Sequence, residues 1–312
     1  MAALATPFFL YAPTGVWERL VAEEQPPAVL FVGDIMLDRS VARHARAVGA
    51  EQLFREVTDV FAGHDVVVGN LEGTITQNPS VSEVDNTVLR FTFAPSLAQT
   101  LAEAGFTTFS LANNHALDFG EFGLDDTRHY LGSAGLAFFG SPFNDQQLAA
   151  KTVIKDKTFC FVGYHELFRR DPDRVVEKII EIEPACDYTT LVAHWGEEYQ
   201  PAPSASQQEL ARLFVDSGAD LVIGAHPHVV QPVEIYNNAA IFYSLGNFVF
   251  DQGWRAEVKR GAMVSVELGE KETTFTVVPV NTYLKVTLAD KEVSAAVLAD
   301  LGLESPVFVL ER

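Results

Sequence analysis

Residues Gly218 to Glu234 read GADLVIGAHPHVVQPVE. Asp220 to Ile223 is a short apolar run of strand character leading into His226-Pro227-His228. Just upstream, Ser204 to Ser217 carries a helical pattern, with Ser204 as the expected N-cap and Gly218 as the stop. A helix, a buried strand and then polar residues at the strand end form the basic α/β unit, and it recurs along the chain. Ala28 to Gly33 ends on Asp34, and Asp65 to Gly69 on Asn70. Phe106 to Ala112 ends on Asn113-Asn114-His115, Thr189 to Ala193 on His194, and Ala240 to Leu245 on Gly246-Asn247. Leu136 to Gly140 and Thr158 to Gly163 are further strands. Helices are expected over Val41 to Phe61, Ser96 to Ala104, Phe122 to Ala134 and Asp173 to Ile182. Fully apolar strands interleaved with helices predict a buried, largely parallel sheet. The tail differs: Ala262 to Leu268, Thr273 to Val280 and Tyr283 to Thr287 alternate as antiparallel strands do, before a short helix over Ser294 to Leu301. That is more strand than one doubly wound sheet needs, so two packed sheets with helices outside are predicted.

The chain has 312 residues, 48% of them apolar, enough for a sizeable core. Its 42 acidic and 22 basic residues give a formal charge of -20. That balance argues against nucleic acid and anionic membrane surfaces as partners, because their phosphates are repelled. An anionic substrate would need local positive charge, such as metal ions. Of the two cysteines, Cys160 reads as a buried thiol in an apolar run and Cys186 as a turn residue; their spacing gives a disulfide no support. The N-terminal stretch has no Lys or Arg before Arg19 and contains Pro7, so it reads as an ordinary extension rather than a secretory signal. No window approaches a membrane span. A cytoplasmic location without a transmembrane anchor is expected.

Ligands of open α/β sheets bind beyond the carboxyl ends of the strands, so the polar residues at those ends are expected to converge on one rim. In His226-Pro227-His228, extended backbone would point both rings to one side and the proline would stiffen the pair. Imidazole suits Zn, Fe, Mn or Ni. Each neighbour also has a structural reading. Asp34 is open to an N-cap role, although Asp38 can take it. Glu72 is open to being a solvated loop acid, and Asn114 a turn residue. His194 reads equally as ligand or as core. His115 would face a substrate. His44, His64 and His129 look structural, whereas His165 follows a strand and stands apart. Residues 73–90 are polar and turn-rich, the best candidate for a loop overhanging the site.

Together these residues resemble the calcineurin-like metallophosphoesterases, in the order Asp34, Gly69-Asn70-x-Glu72, Asn114-His115, His194, His226-x-His228. GDIMLDR (33–39), NLEGTIT (70–76), AGFTTFSLANNHALDFG (104–120), HWGEEY (194–199), GADLVIGAHPHVVQPVE (218–234) and IFYSLGNFVFDQ (241–252) are similar to the CapA-type capsule or poly-γ-glutamate biosynthesis proteins. The resemblance covers about residues 28–252. It implies an α/β four-layer αββα sandwich, two mixed sheets flanked by helices, with a metal site on one rim. It further implies Asp34, Glu72 or Asn70, Asn114, His194, His226 and His228 as metal ligands. His115 would be the catalytic histidine. Apart from the resemblance, Asp118 lies three residues on and could orient it if the turn is helical. The cofactor would be one or two divalent ions, Mn, Fe or Zn. The chain departs from the phosphoesterase pattern at Met36, where a histidine is usual, and at Asn70, where an aspartate usually bridges the metals. How many ions bind, and which of Asn70 and Glu72 bridges, is therefore open.

The expected chemistry is hydrolysis of a phosphate ester by metal-activated water. The substrate would be a phosphorylated small molecule or an anionic polymer. The alternatives are a non-hydrolytic part in capsule or poly-γ-glutamate biosynthesis, or a metal-stabilised binding module. The expected organisation is an extension over residues 1–27, the metallophosphatase-like domain over 28–288, and a C-terminal helix and tail over 289–312 packed on it.

Overall fold

A computed structural model describes residues 25–312 apart from 86, 169 and 170. Most of the expected extension over 1–27, namely residues 1–24, lies outside the described residues. The chain runs from Ala28–Ile35 (β1) through Arg39–Val48 (α1) and Thr58–Ala62 (α2) to Val66–Leu71 (β2). Two short strands follow, Thr74–Ile75 (β3) and Thr92–Phe93 (β4), then Ser96–Ala104 (α3), Thr108–Ser110 (β5), Gly120–Ser133 (α4) and Ala137–Phe139 (β6). Ala149–Ile154 (β7), Lys157–His165 (β8), Asp173–Ile182 (α5) and Tyr188–His194 (β9) come next. They lead to Ala205–Asp216 (α6), Leu221–Ala225 (β10), Val230–Tyr236 (β11) and Ala239–Leu245 (β12). Asn247–Val249 (β13), Arg260–Leu268 (β14), Glu272–Asn281 (β15), Thr287–Leu288 (β16), Lys291–Leu301 (α7) and Val307–Glu311 (β17) complete it.

The strands form two large sheets. The first has the order β16-β15-β14-β1-β2-β5-β6, with β13 added beside β1 and β17 beside β15. The second has the order β11-β12-β10-β9-β8-β7. Each contains a run of four parallel strands: β1, β2, β5 and β6 at one side of the first sheet, β8, β9, β10 and β12 in the middle of the second.

The layering follows from the two-residue period of a strand. Along β1, Val29 and Phe31 pack between the sheets with Phe159, Phe161, Leu221 and Ile223. Leu30 and Val32 point the other way, into a core shared with Val41 of α1, Phe61 of α2 and Leu101 of α3. On the second sheet, Val162 and Val222 turn outward against Val175 of α5 and Phe214 of α6. Three apolar layers thus separate helix, sheet, sheet and helix, the four-layer αββα sandwich. Its α7 packs Val297 and Leu301 into the intersheet core.

Several expectations are corrected. The helix expected over Val41 to Phe61 is broken at Gly49, whose φ of 97° ends α1; a 3-10 turn over Ala50–Leu53 and the short α2 follow. Asp38 caps α1 by accepting from the Arg39 N–H, and its other oxygen accepts from the Thr92 N–H. The strands β7, β11, β13 and β17 were not expected. β7 and β17 are largely exposed edges, and β11 carries Pro232 in an edge strand, where its missing N–H costs no ladder bond. Cys160 is not a free thiol: it forms a disulfide with Cys186, fastening β8 to the segment after α5. Residues 26 apart meet there because the turn after α5 brings the chain back to pair β9 beside β8, a proximity that sequence spacing does not reveal.

Candidate metal centre

The parallel strands of both sheets end on the same rim. Register places Asp34 beside Asn70 and Asn247 in the first sheet. In the second, His165 lies opposite His194, and His194 opposite Ala225, one residue before His226. Asp34, Asn70, Glu72, His194, His226 and His228 are all buried. Asn114 and His115 sit at the edge, partly exposed.

Hydrogen bonds fix most of these groups. Asp34 Oδ1 accepts from Asn70 Nδ2 at 2.7 Å, and its Oδ2 accepts from the His226 N–H at 3.1 Å. Asn70 is therefore turned with its amide N–H toward Asp34, while its Oδ1 accepts from Asn113 Nδ2 at 3.0 Å. In that orientation Asn70 holds Asp34 rather than offering an oxygen to the site. His194 Nδ1 lies 3.3 Å from Asn70 Nδ2, and its Nε2 lies 2.8 Å from Asn114 Oδ1. Asn70 Nδ2 can only donate, so in this arrangement His194 accepts at Nδ1 and donates from Nε2 to Asn114 Oδ1; an ion held by His194 and Asn114 would take the place of that proton.

His226 and His228 do not reach the site as an extended pair. Both have positive φ, 94° and 58°, so the loop turns through left-handed conformations. Such conformations cost an ordinary side chain roughly 1–2 kcal/mol each. The bond from the His226 N–H to Asp34 helps to hold this one. The His228 Nδ1 faces Asn247 Oδ1 at 3.0 Å. Asn247 uses its own N–H groups on Gln252 and on the Val258 carbonyl, so its oxygen must accept and His228 must donate from Nδ1. That leaves the Nε2 lone pair of His228 facing Glu72 Oε1 at 3.7 Å and Glu198 Oε1 at 4.0 Å.

Two triads of donors result. Asp34, Glu72 and His228 present atoms all within 4.8 Å of one another, and so do Glu198, His226 and His228. Glu198 lies on the loop after β9 and was not singled out from sequence, although it falls within the HWGEEY block. Asn113, beside the chosen Asn114, was missed as well. Met36 is not in the site: its side chain belongs to the core beneath α1, and its sulfur accepts from the Asp38 N–H at 3.1 Å. An irregularity of β1 at Asp34 shifts the alternation, so the second residue on does not return to the rim.

The donor set fits a cation. Both oxygens of Glu72 and the Nδ1 of His226 are buried without a hydrogen-bond partner. Burial first, then the Asp34 and Glu198 carboxylates, push Glu72 well above the ordinary carboxylate range. Burial, then His228, brings His226 down to about 3, and burial with His226 holds His194 well below the usual imidazole value. Crowded acids beside imidazoles kept neutral are what a divalent ion stabilises and what an ion-free site pays for.

His115 lies on the open side. Its Nδ1 contacts Asp118 Oδ2 at 2.8 Å, and its Nε2 lies 3.9 Å from Glu72 Oε1. Asn113 Oδ1 accepts from the His115 N–H at 3.1 Å, and Phe91 lies against the ring at 4.2 Å. Asp118 is fixed in turn by the Phe91 N–H at 2.6 Å. The loop over 73–90 thus reaches the site at its end. Three arginines border it, each over an aromatic ring: Arg39 over Phe91 and Phe250, Arg90 over Phe119, and Arg255 over Tyr199. Phe250 and Tyr199 are themselves ring neighbours of His228.

Residues 28–252 match the family model described as the bacterial capsule synthesis protein PGA_cap. The PGA biosynthesis protein CapA of Bacillus subtilis (strain 168) is 33% identical over 269 residues, covering 80% of this chain and 70% of that protein. The capsule biosynthesis protein CapA of Bacillus anthracis is 32% identical over 282 residues, covering 83% of this chain and 68% of the other. Among solved structures, a Staphylococcus aureus protein whose 5'-nucleotidase name is provisional, solved with alpha-ketoglutarate, superposes with a TM-score of 0.51 at 13% identity. It covers 88% of this chain and 57% of the other, a likeness of fold alone.

Proposed function

The chain belongs to the bacterial capsule synthesis family, and from that membership and the rim geometry we propose that it hydrolyses a phosphate ester of an anionic substrate at a divalent-metal centre. The supporting observation is the meeting of two kinds of group. Unpaired buried donors of Glu72 and His226 lie beside His228, and an oriented His115 lies 3.9 Å from Glu72 on the open side. Asp34, Glu72, Asn114, His194, Glu198, His226 and His228 would hold one or two ions. A divalent ion bound there supplies Lewis acidity toward a phosphoryl oxygen and an acidified water.

The chain's own groups do the rest. Asp118 accepts a hydrogen bond from the Nδ1–H of His115 and fixes the ring, so in the doubly protonated ring it is the Nε2–H that would pass to the leaving oxygen, leaving neutral imidazole with its proton on Nδ1. Asn113 sets the backbone at His115. Asn70 keeps Asp34 turned toward the His226 loop. Arg90 and Arg255 place positive charge at the mouth of a molecule whose formal charge is -20, answering the need of an anionic substrate, whereas the charge of Arg39 is met by an ion pair with Asp251.

A second reading is a non-hydrolytic part in capsule or poly-γ-glutamate biosynthesis. It is favoured by the names of the relatives and by the same arginines, which suit carboxylates as well as phosphates. The described residues contain no helix long and apolar enough to cross a membrane. The Cys160–Cys186 disulfide favours an oxidising compartment over a reducing one.

Metal-loaded protein assayed on bis-p-nitrophenyl phosphate separates the two readings. Turnover is expected with at least one of Mn, Fe or Zn. The His115→Ala variant should keep its metal and lose about 100-fold or more of that rate. No turnover with any of the three ions, in protein shown to hold them, would leave the non-hydrolytic reading.

A further inference from the structure

We propose that His165 is a further donor to this metal centre, supplying its Nε2 from the end of β8 beside His194 and His226. The proposal rests on the metal reading above. It concerns a residue outside both donor triads.

Three adjacent parallel strands of the second sheet, β8, β9 and β10, end in or next to a histidine. Register sets His165 opposite His194. The rings then form a row: His165 to His194 at 5.7 Å between centroids, His194 to His226 at 4.7 Å, and His226 to His228 at 5.8 Å. The row runs across the rim from β8, next to the edge strand β7, to His228, whose Nδ1 lies 3.3 Å from Asp34 Oδ2.

The orientation of His165 is built rather than incidental. Its Nδ1 lies 2.8 Å from the Pro142 carbonyl oxygen, which can only accept, so Nδ1 carries the proton and Nε2 the lone pair. Asn144 grips the strand end from both sides: its Nδ2 donates to the His165 carbonyl at 2.7 Å, and its Oδ1 accepts from the His165 N–H at 2.8 Å. Phe168 packs edge-on against the ring at 4.8 Å. The residue is wholly buried, and Nε2 has no hydrogen-bond partner.

A histidine serving only as core would be costly in this form. A buried acceptor left unpaired loses roughly 1–3 kcal/mol, and an apolar ring of the same size would not. Tying one ring nitrogen to a backbone carbonyl, so that the other keeps a free lone pair, is how ligating histidines are commonly oriented. β1 brings a carboxylate but no imidazole to the rim, since Met36 is in the core. β8 provides the nitrogen from the opposite sheet.

The test uses the full chain, stripped with chelator and titrated with Co2+ and Zn2+. His165→Gln and His165→Phe should both lose at least about tenfold in metal affinity and alter the Co2+ absorption bands. Circular dichroism checks that each variant is folded. Wild-type protein with 15N-labelled histidine gives a second readout that needs no folded variant: the His165 Nε2 resonance should shift on saturation with Zn2+. An unmoved resonance, or variants that bind within twofold of wild type with the same spectrum, would overturn the proposal while leaving the centre intact. A wild-type protein that binds neither ion would overturn both readings at once.

Discussion

Neither oxygen of Glu72 is hydrogen-bonded, although the side chain is buried beside Asp34 and Glu198. In ion-free protein this arrangement is unfavourable, by roughly 1–3 kcal/mol for an unpaired buried polar atom and more for a charged one. Glu72→Gln keeps the shape and removes the charge. Its melting temperature in chelator should rise, while its affinity for Zn2+ or Mn2+ should fall at least about tenfold. A lower melting temperature with unchanged metal binding would make Glu72 a structural residue. At this scale the convergence of the strand ends on a candidate site was legible. Apolar runs ending on Asp34, Asn70, Asn114 and His194 located the rim, because a strand end fixes where the next side chains fall. What escaped depends on turns. The dipeptide Asn113-Asn114 does not say which amide reaches Asn70 and which reaches His194. Glu198 lies one residue before Tyr199, whose φ of 65° turns the loop back over the site, and no periodicity announces that.

The candidate centre depends on how closely two elements approach. A Cβ built on Gly33 of β1 would lie 2.0 Å from the Gly246 carbonyl oxygen, and the Asp34 N–H donates to that same oxygen at 3.1 Å. Backbone, not a flexible side chain, blocks the space. Gly33→Ala should therefore cost about 3 kcal/mol or more in urea denaturation, since the strand and the β12–β13 turn must separate. Because Asp34 is the next residue, metal content should fall as well. A variant as stable as wild type with full metal content would show that the two elements can part without disturbing the site. Such contacts are invisible in a linear sequence, whereas the elements themselves were largely visible. The central parallel strands read clearly because both their faces are buried. β7 and β17 did not, because an edge strand with one exposed face carries a diluted apolar signal. The run from Val41 to Phe61 misled for a different reason: its apolar spacing continues past Gly49, where the backbone turns.

For the molecule as a whole, folding keeps several imidazoles neutral, and that couples stability to pH. Burial first, with smaller contributions from neighbouring imidazoles, brings His226 to about 3 and leaves His194 well below its ordinary value. Burial likewise brings His165 to about 4, although its bond to Pro142 works the other way. In the unfolded chain each titrates near ~6.5. Between that value and the folded one the unfolded state binds more protons, so the contribution of each histidine is fully present above ~6.5 and is lost as pH falls toward about 4. Glu72 acts in the opposite sense: its raised folded value gives stability that is present below ~4.5 and lost as pH rises. Three imidazoles outweigh one acid across the shared window. In chelator, the urea unfolding free energy should therefore fall from pH 7 to pH 5. The steepest slope per imidazole is about 1.4 kcal/mol per pH unit, with Glu72 offsetting one of the three. Staying above pH 5 keeps the many surface carboxylates ionised, so relief of their mutual repulsion does not mask the trend. With metal present the fall should be steeper, because ligation requires the same imidazoles to be neutral and protons compete with the ion for them. A free energy of unfolding that stays flat from pH 7 to pH 5 in chelator would mean that these rings are charged or solvated in the folded protein, and the row of histidines along the rim would then lose its claim to hold an ion.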